Sequence, residues 1–276
     1  MPRFSILIPC YNCSKTLPNT LSSCLQQKFD DFEVILIDDY SKDNVVSIYK
    51  HYLPAFVLKN IPLTYHRNSV NSGVSFSRNT AWDLAIGEYI CFLDSDDIWH
   101  ESKLQIINRF LSTNNCYCLC HSYTDNKDIF FTERDTSNYE IFKLNLLKLL
   151  LKNPSQTSCF VLKRSITDRF DNTMSYCEDY DLWLKVSKSH PVYQLCGKPL
   201  TLLSRPQKTP GGLSSNRVKM RLGELTAYFN FTQRNNIFII LLPLFLAYSM
   251  LKHIRSEFGY IIRLLKQKLN NRQVTP

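Results

Sequence analysis

Residues 91–99 read "CFLDSDDIW". Apolar Cys91, Phe92 and Leu93 run straight into Asp94, Asp96 and Asp97, with Ile98 and Trp99 beyond. An apolar run that ends in carboxylates has the pattern of a buried strand leading into an acidic loop. Three like charges this close repel one another and are costly to hold beside a core. The loop is therefore expected to hold something.

The preceding residues supply the sheet to which that strand belongs. "FSILIP" (4–9), "FEVILIDD" (32–39), "LTYHRN" (63–68) and "EYICFLD" (88–94) read as strands. Between them, 14–27, 43–56 and 75–86 show helical spacing of apolar positions, with Ser14 as a cap and Pro54 as a stop. Strand–helix alternation predicts an α/β fold with a mostly parallel sheet and helices on both faces. Ligands of such sheets bind beyond the carboxyl ends of the strands. Three of those ends carry polar chemistry: Pro9-Cys10-Tyr11-Asn12, Asp38-Asp39 and Asp94-Ser95-Asp96-Asp97. Each alone is matched by an ordinary polar loop; their equivalent placement is harder to dismiss.

The later chain is less regular. Residues 116–124 and 155–164 read as strands, with Cys116, Cys118 and Cys120 on one face, and 139–153 reads as an apolar helix. "CEDYDLWLKVSKS" (177–189) opens with acids at the positive end of a helix dipole. "PQKTPGGLSSN" (206–216) has the composition of a loop or lid. The expected organisation is a domain over 1–205, a loop and connecting segment over 206–235 and a helical tail over 236–276.

Charge separates the tail from the rest. Residues 1–204 carry 21 Lys+Arg against 22 Asp+Glu, whereas 205–276 carry 12 against 2. Residues 237–251 are apolar and uncharged, short of the ~20 needed to span a bilayer, and Pro243 interrupts them. From Met250 the apolar positions 250, 254, 258, 261, 265 and 269 form a helical stripe among six basic residues. That composition suits a helix lying on an anionic membrane surface; a core-packed helix with a solvated basic face is the plain alternative. Ten cysteines without a secretory leader point to a reducing cytosol and buried thiols. Cys10 and Cys13 have zinc-like spacing, but no second such pair completes a site.

Sugar transfer from a nucleotide sugar accounts for the acids. The leaving diphosphate develops negative charge, which a divalent ion held by carboxylates can neutralise. "SILIPCYN", "VILIDDYSKDN", "NSGVSFSRNTAWDLAIGEYICFLDSDDIW" and "EDYDLWLK" together resemble the ordered motifs of family 2 glycosyltransferases of the GT-A fold, over roughly residues 3–190. The resemblance implies an inverting hexosyltransferase with a Mn²⁺ or Mg²⁺ cofactor and a nucleotide-sugar donor, UDP-linked by preference. Pro9 and Tyr11 would then line the nucleobase and Asp39 bind it. Asp94, with Ser95 beside it, would face the ribose or donor sugar, and Asp96, with Asp94, would hold the metal. Arg78 would stand near the diphosphate, and Asp179, with Glu178 as its rival, would be the general base. Many relatives place a His in the loop after the last strand; here Arg205, Lys208 and Ser214 stand in that region.

The implied acceptor is lipid-linked or a saccharide, in bacterial surface-polysaccharide assembly (O-antigen, lipooligosaccharide or capsule), with the chain attached peripherally to the cytoplasmic face of the inner membrane. A glycosidase also needs two carboxylates, but not a base-stacking tyrosine or acids at several strand ends. A membrane-surface or nucleic-acid-binding protein with a degenerate domain would explain the basic tail. The main domain is net negative, however, so no nucleic-acid partner is expected.

Overall fold

The computed structural model describes residues 1–132, 139–204 and 215–272. Eight strands form one sheet: β1 (Phe4–Cys10), β2 (Phe32–Asp38), β3 (Leu63–Arg67), β4 (Tyr89–Phe92), β6 (Cys118–His121), β8 (Glu140–Lys143), β9 (Phe160–Lys163) and β10 (Val192–Cys196). Their order is β3-β2-β1-β4-β9-β6-β10-β8. The β3-β2-β1-β4 half is entirely parallel, so its carboxyl ends share one edge. β9 runs antiparallel between β4 and β6, which brings its start to that same edge. A small second sheet joins β5 (Ile98–Trp99), β11 (Thr201–Leu202) and β7 (Tyr123–Thr124).

β1 and β2 are buried along their whole length, as parallel strands covered on both faces must be. Period-two alternation then sorts their side chains. Phe4, Ile6, Ile8, Val34 and Leu36 meet α1 (Leu17–Leu25), α2 (Val45–Leu58) and α4 (Lys103–Thr113) through Leu21, Phe56 and Ile107. Leu7, Ile35 and Ile37 face the other way, towards α3 (Val74–Leu84), α7 (Glu178–Ser189) and α8 (Arg217–Arg234), through Trp82, Trp183 and Tyr228. The expected α/β architecture, mostly parallel with helices on both faces, is the one observed.

Several local expectations need correction. Ser14 does not cap α1; Thr16 holds that position, and the Ser14 N–H donates to Asp43 Oδ2 at 2.7 Å. α2 runs through Pro54, which forfeits one hydrogen bond, and the Lys59 N–H closes the last turn on Ala55 and Phe56. The helix expected over 139–153 divides into edge strand β8 and the short α6 (Leu146–Leu151). Asn145 starts α6 by accepting the Lys148 N–H at 2.8 Å, while β8 fills the open edge of β10. Residues 116–124 split between the two sheets. Cys116 lies before β6 and buries on the opposite side from Cys118 and Cys120. Residues 155–164 begin as a 3₁₀ turn (Thr157–Cys159) before β9. All ten cysteines are free thiols, and only Cys177 and Cys196 are more than marginally exposed.

The segment 206–235 is more than a connector. Residues 205–214, with Arg205, Lys208 and Ser214, lie outside the described residues. α8, however, is integral to the domain: Arg234 pairs with the fully buried Asp181 of α7 at 2.8 Å, and Ala227 and Phe231 are buried. The tail does not stand apart either. In α9 (Leu242–Arg272) Phe245 stacks on Tyr228, Ser249 is buried, and Ser249 and Lys252 bond Glu224 of α8. Leu244, Met250, Leu251 and Ile254 remain exposed. The later members of the predicted stripe lie outside the described side chains.

Candidate active site

Parallel pairing of β2, β1 and β4 sets Asp39, Tyr11 and the acidic loop side by side on one sheet edge. The two adjacent acids after β2 divide their work. Asp38 turns inward, accepting the Ser41 N–H at 2.8 Å and the Tyr65 hydroxyl at 2.7 Å. Asp39 accepts from Asn68 Nδ2 (2.8 Å), Ser72 N (2.9 Å) and Gly73 N (2.8 Å). A carboxylate offers about four lone-pair positions, so one remains for a ligand N–H. Gly73 sits at φ +89° just before α3, a backbone shape that L side chains rarely adopt, and this bend aims its N–H at Asp39.

Tyr11 and Tyr40 flank this carboxylate from two loops, each about half exposed. The loops tie to each other: Asn12 N donates to Ser41 Oγ and Lys42 N to Asn12 Oδ1. Pro9 is buried within β1 below Tyr11. Tyr40 was not anticipated as part of the site. Its left-handed φ of 62°, one residue past the acid pair, turns it outward.

The acidic loop is unevenly exposed. Asp94, Ser95 and Asp96 are half-buried, whereas Asp97 is buried. Asp97 accepts from Ser158 Oγ at 2.6 Å and Ser204 N at 3.2 Å. Burial, then the charges of Asp94 and Asp96, push its carboxyl up to about 8. Asp97 is therefore an internal strut, distinct from the two acids that face outward. Ser95 hydrogen-bonds the Cys13 thiol.

Arg78 joins this loop to a distant part of the chain. Its side chain is 4% exposed, with Nη2 donating to Asp94 Oδ1 at 2.7 Å and Nη1 to Glu178 Oε1 at 2.9 Å. The guanidinium expected near a diphosphate is thus a bridge between two carboxylates, and Glu178 is occupied as its partner. Asp179, next on α7, accepts from Tyr180 N (2.7 Å), Asn153 Nδ2 (3.0 Å) and Thr157 Oγ1 (3.4 Å). Burial, then the neighbouring Glu178 charge, raise the Asp179 carboxyl to about 6, against the opposing pull of Arg78. A carboxylate that titrates near neutrality suits proton transfer. α7 starts from Cys177 in a left-handed conformation (φ 56°), which turns the helix N-terminus and its acids towards the site.

Asp94 and Asp96 are hard oxygen donors at an open strand end, which fits a divalent ion that keeps water and substrate phosphates in its shell. Among the described residues no group of three or more metal-ligating side chains gathers. Asn153, Thr157 and Ser158 were missed by sequence reasoning. The sequence pattern set Asn153 at the end of an apolar helix and Thr157 and Ser158 in a strand, neither of which marks them as site residues.

Residues 5–170 match the family model described as Glycosyl transferase family 2. The Escherichia coli UDP-Glc:alpha-D-GlcNAc-diphosphoundecaprenol beta-1,3-glucosyltransferase WfgD is 30% identical over 218 residues, 78% of this chain and 81% of the relative. The amylovoran biosynthesis glycosyltransferase AmsB of Erwinia amylovora is 31% identical over 221 residues, covering 71% and 68%. Among solved structures, S. aureus TarS 1–349 in complex with UDP-GlcNAc has a TM-score of 0.68 at 18% identity, over 92% of this chain and 73% of that one. The mannosyltransferase PcManGT from Pyrobaculum calidifontis, in complex with GDP-Man and Mn²⁺, has a TM-score of 0.63 at 14% identity, over 100% and 81%. At these identities the two structures speak for the fold.

Proposed function

The chain belongs to glycosyltransferase family 2, and from that premise we propose that it transfers a hexose, with inversion, from a UDP-linked donor to a lipid-linked or saccharide acceptor in bacterial surface-polysaccharide assembly. One observation carries the assignment. Arg78 binds Asp94 and Glu178 at once, so acids far apart in the chain stand around one site with donor-side and acceptor-side walls. The UDP-sugar and lipid-diphosphate substrates named for WfgD support the choice of donor and acceptor.

The proposed roles are those the family implies, and the placement of the residues supports them. Tyr11 stacks on the nucleobase above Pro9, and Asp39 spends its remaining lone pair on a base N–H. Asp94, with Ser95 beside it, faces the ribose or donor sugar, and Asp94 and Asp96 would hold Mn²⁺ or Mg²⁺. When bound, that ion neutralises the charge developing on the diphosphate. Asp179 takes the proton of the acceptor hydroxyl as its oxygen bonds the anomeric carbon. The bond from that carbon to the diphosphate breaks, and UDP leaves with the electron pair. A single displacement inverts the carbon, giving a β product from an α-linked donor.

The catalytic domain is proposed over 1–205, with the helix α8 added to it from the 206–235 segment. The tail from 236 would rest on the cytoplasmic face of the inner membrane. Exposed Leu244, Leu251 and Ile254 and the basic residues beyond them support that placement. Among the described residues no helix is long and apolar enough to cross a membrane.

The test is a nucleotide-release screen of UDP-hexoses and GDP-mannose, with and without Mn²⁺, alongside thermal shift with UDP. Metal-dependent release from a UDP-sugar is expected. Release from GDP-mannose alone would overturn the donor assignment, and stabilisation by DNA or RNA but not by UDP would favour a binding module.

A further inference from the structure

Asn153, Thr157 and Ser158 belong to the segment between α6 and β9. Because β9 runs antiparallel to β4, this segment arrives at the carboxyl edge of β4, beside the acidic loop. Thr157 and Ser158 are adjacent, and their side chains serve opposite walls of the site. Thr157 Oγ1 donates to Asp179 Oδ2 at 3.4 Å, and Asn153 Nδ2 donates to the same oxygen at 3.0 Å. Ser158 Oγ accepts the Asp94 N–H at 3.0 Å and donates to Asp97 Oδ2 at 2.6 Å.

Ser158 is itself held from behind. Its carbonyl accepts from Lys103 Nζ (2.8 Å), Trp99 Nε1 (3.1 Å) and Thr201 Oγ1 (3.3 Å). Lys103 is fully buried, and its ammonium lies 3.4 Å from the centre of the Trp99 ring. Burial pulls the Lys103 amine down to about 7, and its closest polar contact is this one carbonyl.

We propose that Asn153–Ser158 is a spacer that fixes the distance between the general base and the acidic loop, with Asn153 and Thr157 as positioning residues of Asp179 and Ser158 as the positioning residue of Asp94 and Asp97. Consecutive Cα atoms are about 3.8 Å apart, so a shift at Thr157 is passed to Ser158 and from one wall to the other. The inference rests on the assignment of Asp179 as the base.

The test splits the two walls. Asn153→Ala removes a donor that favours the ionised base, leaving Glu178, Arg78, Cys177, the Tyr180 N–H and Thr157 Oγ1 around Asp179. Loss of a hydrogen bond to a charged group predicts a kcat about ten-fold or more lower, with the acid limb of the pH–rate profile displaced upward and donor KM unchanged. Ser158→Ala should raise donor KM and the Mn²⁺ needed for half-activation, with the acid limb in place. If Ser158→Ala does not fold, the isosteric Ser158→Cys, a weaker hydrogen-bonding group, reads the same split. Asn153→Gln should recover part of the loss. Wild-type kcat and pH profile in Asn153→Ala, or the same uniform loss in both variants, would overturn the spacer. Asp179→Asn, measured alongside, separates the two ideas: if it is inactive while Asn153→Ala is normal, the spacer alone fails; if it is active, the base assignment fails.

Discussion

Asp179→Asn should be nearly inactive and should gain stability on the parent as pH rises. Asp179 is half-buried, and its carboxyl is raised from 3.8 to about 6. Over that interval, about two pKa units, the ionised form costs about 3 kcal/mol at about 1.4 kcal/mol per unit. Partial solvent screening reduces this to ~1–2 kcal/mol. The folded state holds the proton more tightly than the unfolded chain, so between about pH 4 and pH 6 it binds more protons and stability falls as pH rises. The penalty is absent below about 3.8, the unfolded value, and complete above about 6. Asparagine carries no charge and keeps an oxygen for the Tyr180 N–H, but its NH₂ then faces Asn153 Nδ2 and Thr157 Oγ1, which donate to Oδ2 in the parent, at a cost of about 1–3 kcal/mol that does not vary with pH. Between pH 4 and pH 8 the melting temperature of the variant should therefore rise relative to that of the parent by roughly 3–6 °C, taking about 3 °C per kcal/mol for a chain of this size. Loss of the general base should cost about 10²–10⁴-fold in kcat, with UDP binding retained. Calorimetry at the two pH values and continuous UDP-release kinetics are sufficient. A melting difference that does not change with pH, or a kcat within a factor of five of the parent, would refute the reasoning.

Asp96→Ala should abolish transfer and weaken the Mn²⁺-dependent part of UDP binding, because the half-buried Asp96 is an outward acid of the loop; near-normal activity at saturating metal removes it from the site. Asp39→Asn should mainly raise donor KM and blur nucleotide preference, since three protein donors already hold the carboxylate and its proposed partner is the base; a large kcat loss at unchanged KM contradicts that role. Leu251→Glu with Ile254→Glu, both more than half exposed, should abolish sedimentation with anionic vesicles and leave stability within about 0.5 kcal/mol; parent protein that ignores such vesicles sinks the membrane assignment. Gly223→Ala should destabilise by about 1–3 kcal/mol, as a Cβ there would lie 2.4 Å from the Tyr176 carbonyl oxygen; an unchanged denaturation midpoint would mean that α8 can shift freely on the domain.

The half of the fold that builds the donor side was legible because its signals are local. β1, β2 and β4 are apolar runs, interrupted only by Ser5 and Glu33, that stop at polar residues, and a doubly covered parallel strand allows little else. Residues 139–153 misled because a long apolar run fits either state; Asn145 and the open edge of β10 decided it. α8 was obscured by the Pro-, Gly- and Ser-rich stretch before it. Within the site, motif order picked out Asp39, Asp94, Asp96 and Asp179. It could not separate Asp97, whose burial comes from Ser158 and Ser204, neither of them near it in sequence. Nor could it find Asn153, whose importance lies in one contact across 26 residues.

A single guanidinium shared by two carboxylates makes the two halves of the site thermodynamically dependent. Among the described residues Arg78 ion-pairs with Asp94 and Glu178, and its charge also reaches Asp179, so displacing it from one carboxylate alters its hold on the others. A cationic or anionic ligand that alters the hold of Asp94 changes the field at α7, and an acceptor that perturbs Glu178 changes donor affinity by the same factor. Such reciprocity appears in steady-state kinetics as cooperativity between two different substrates.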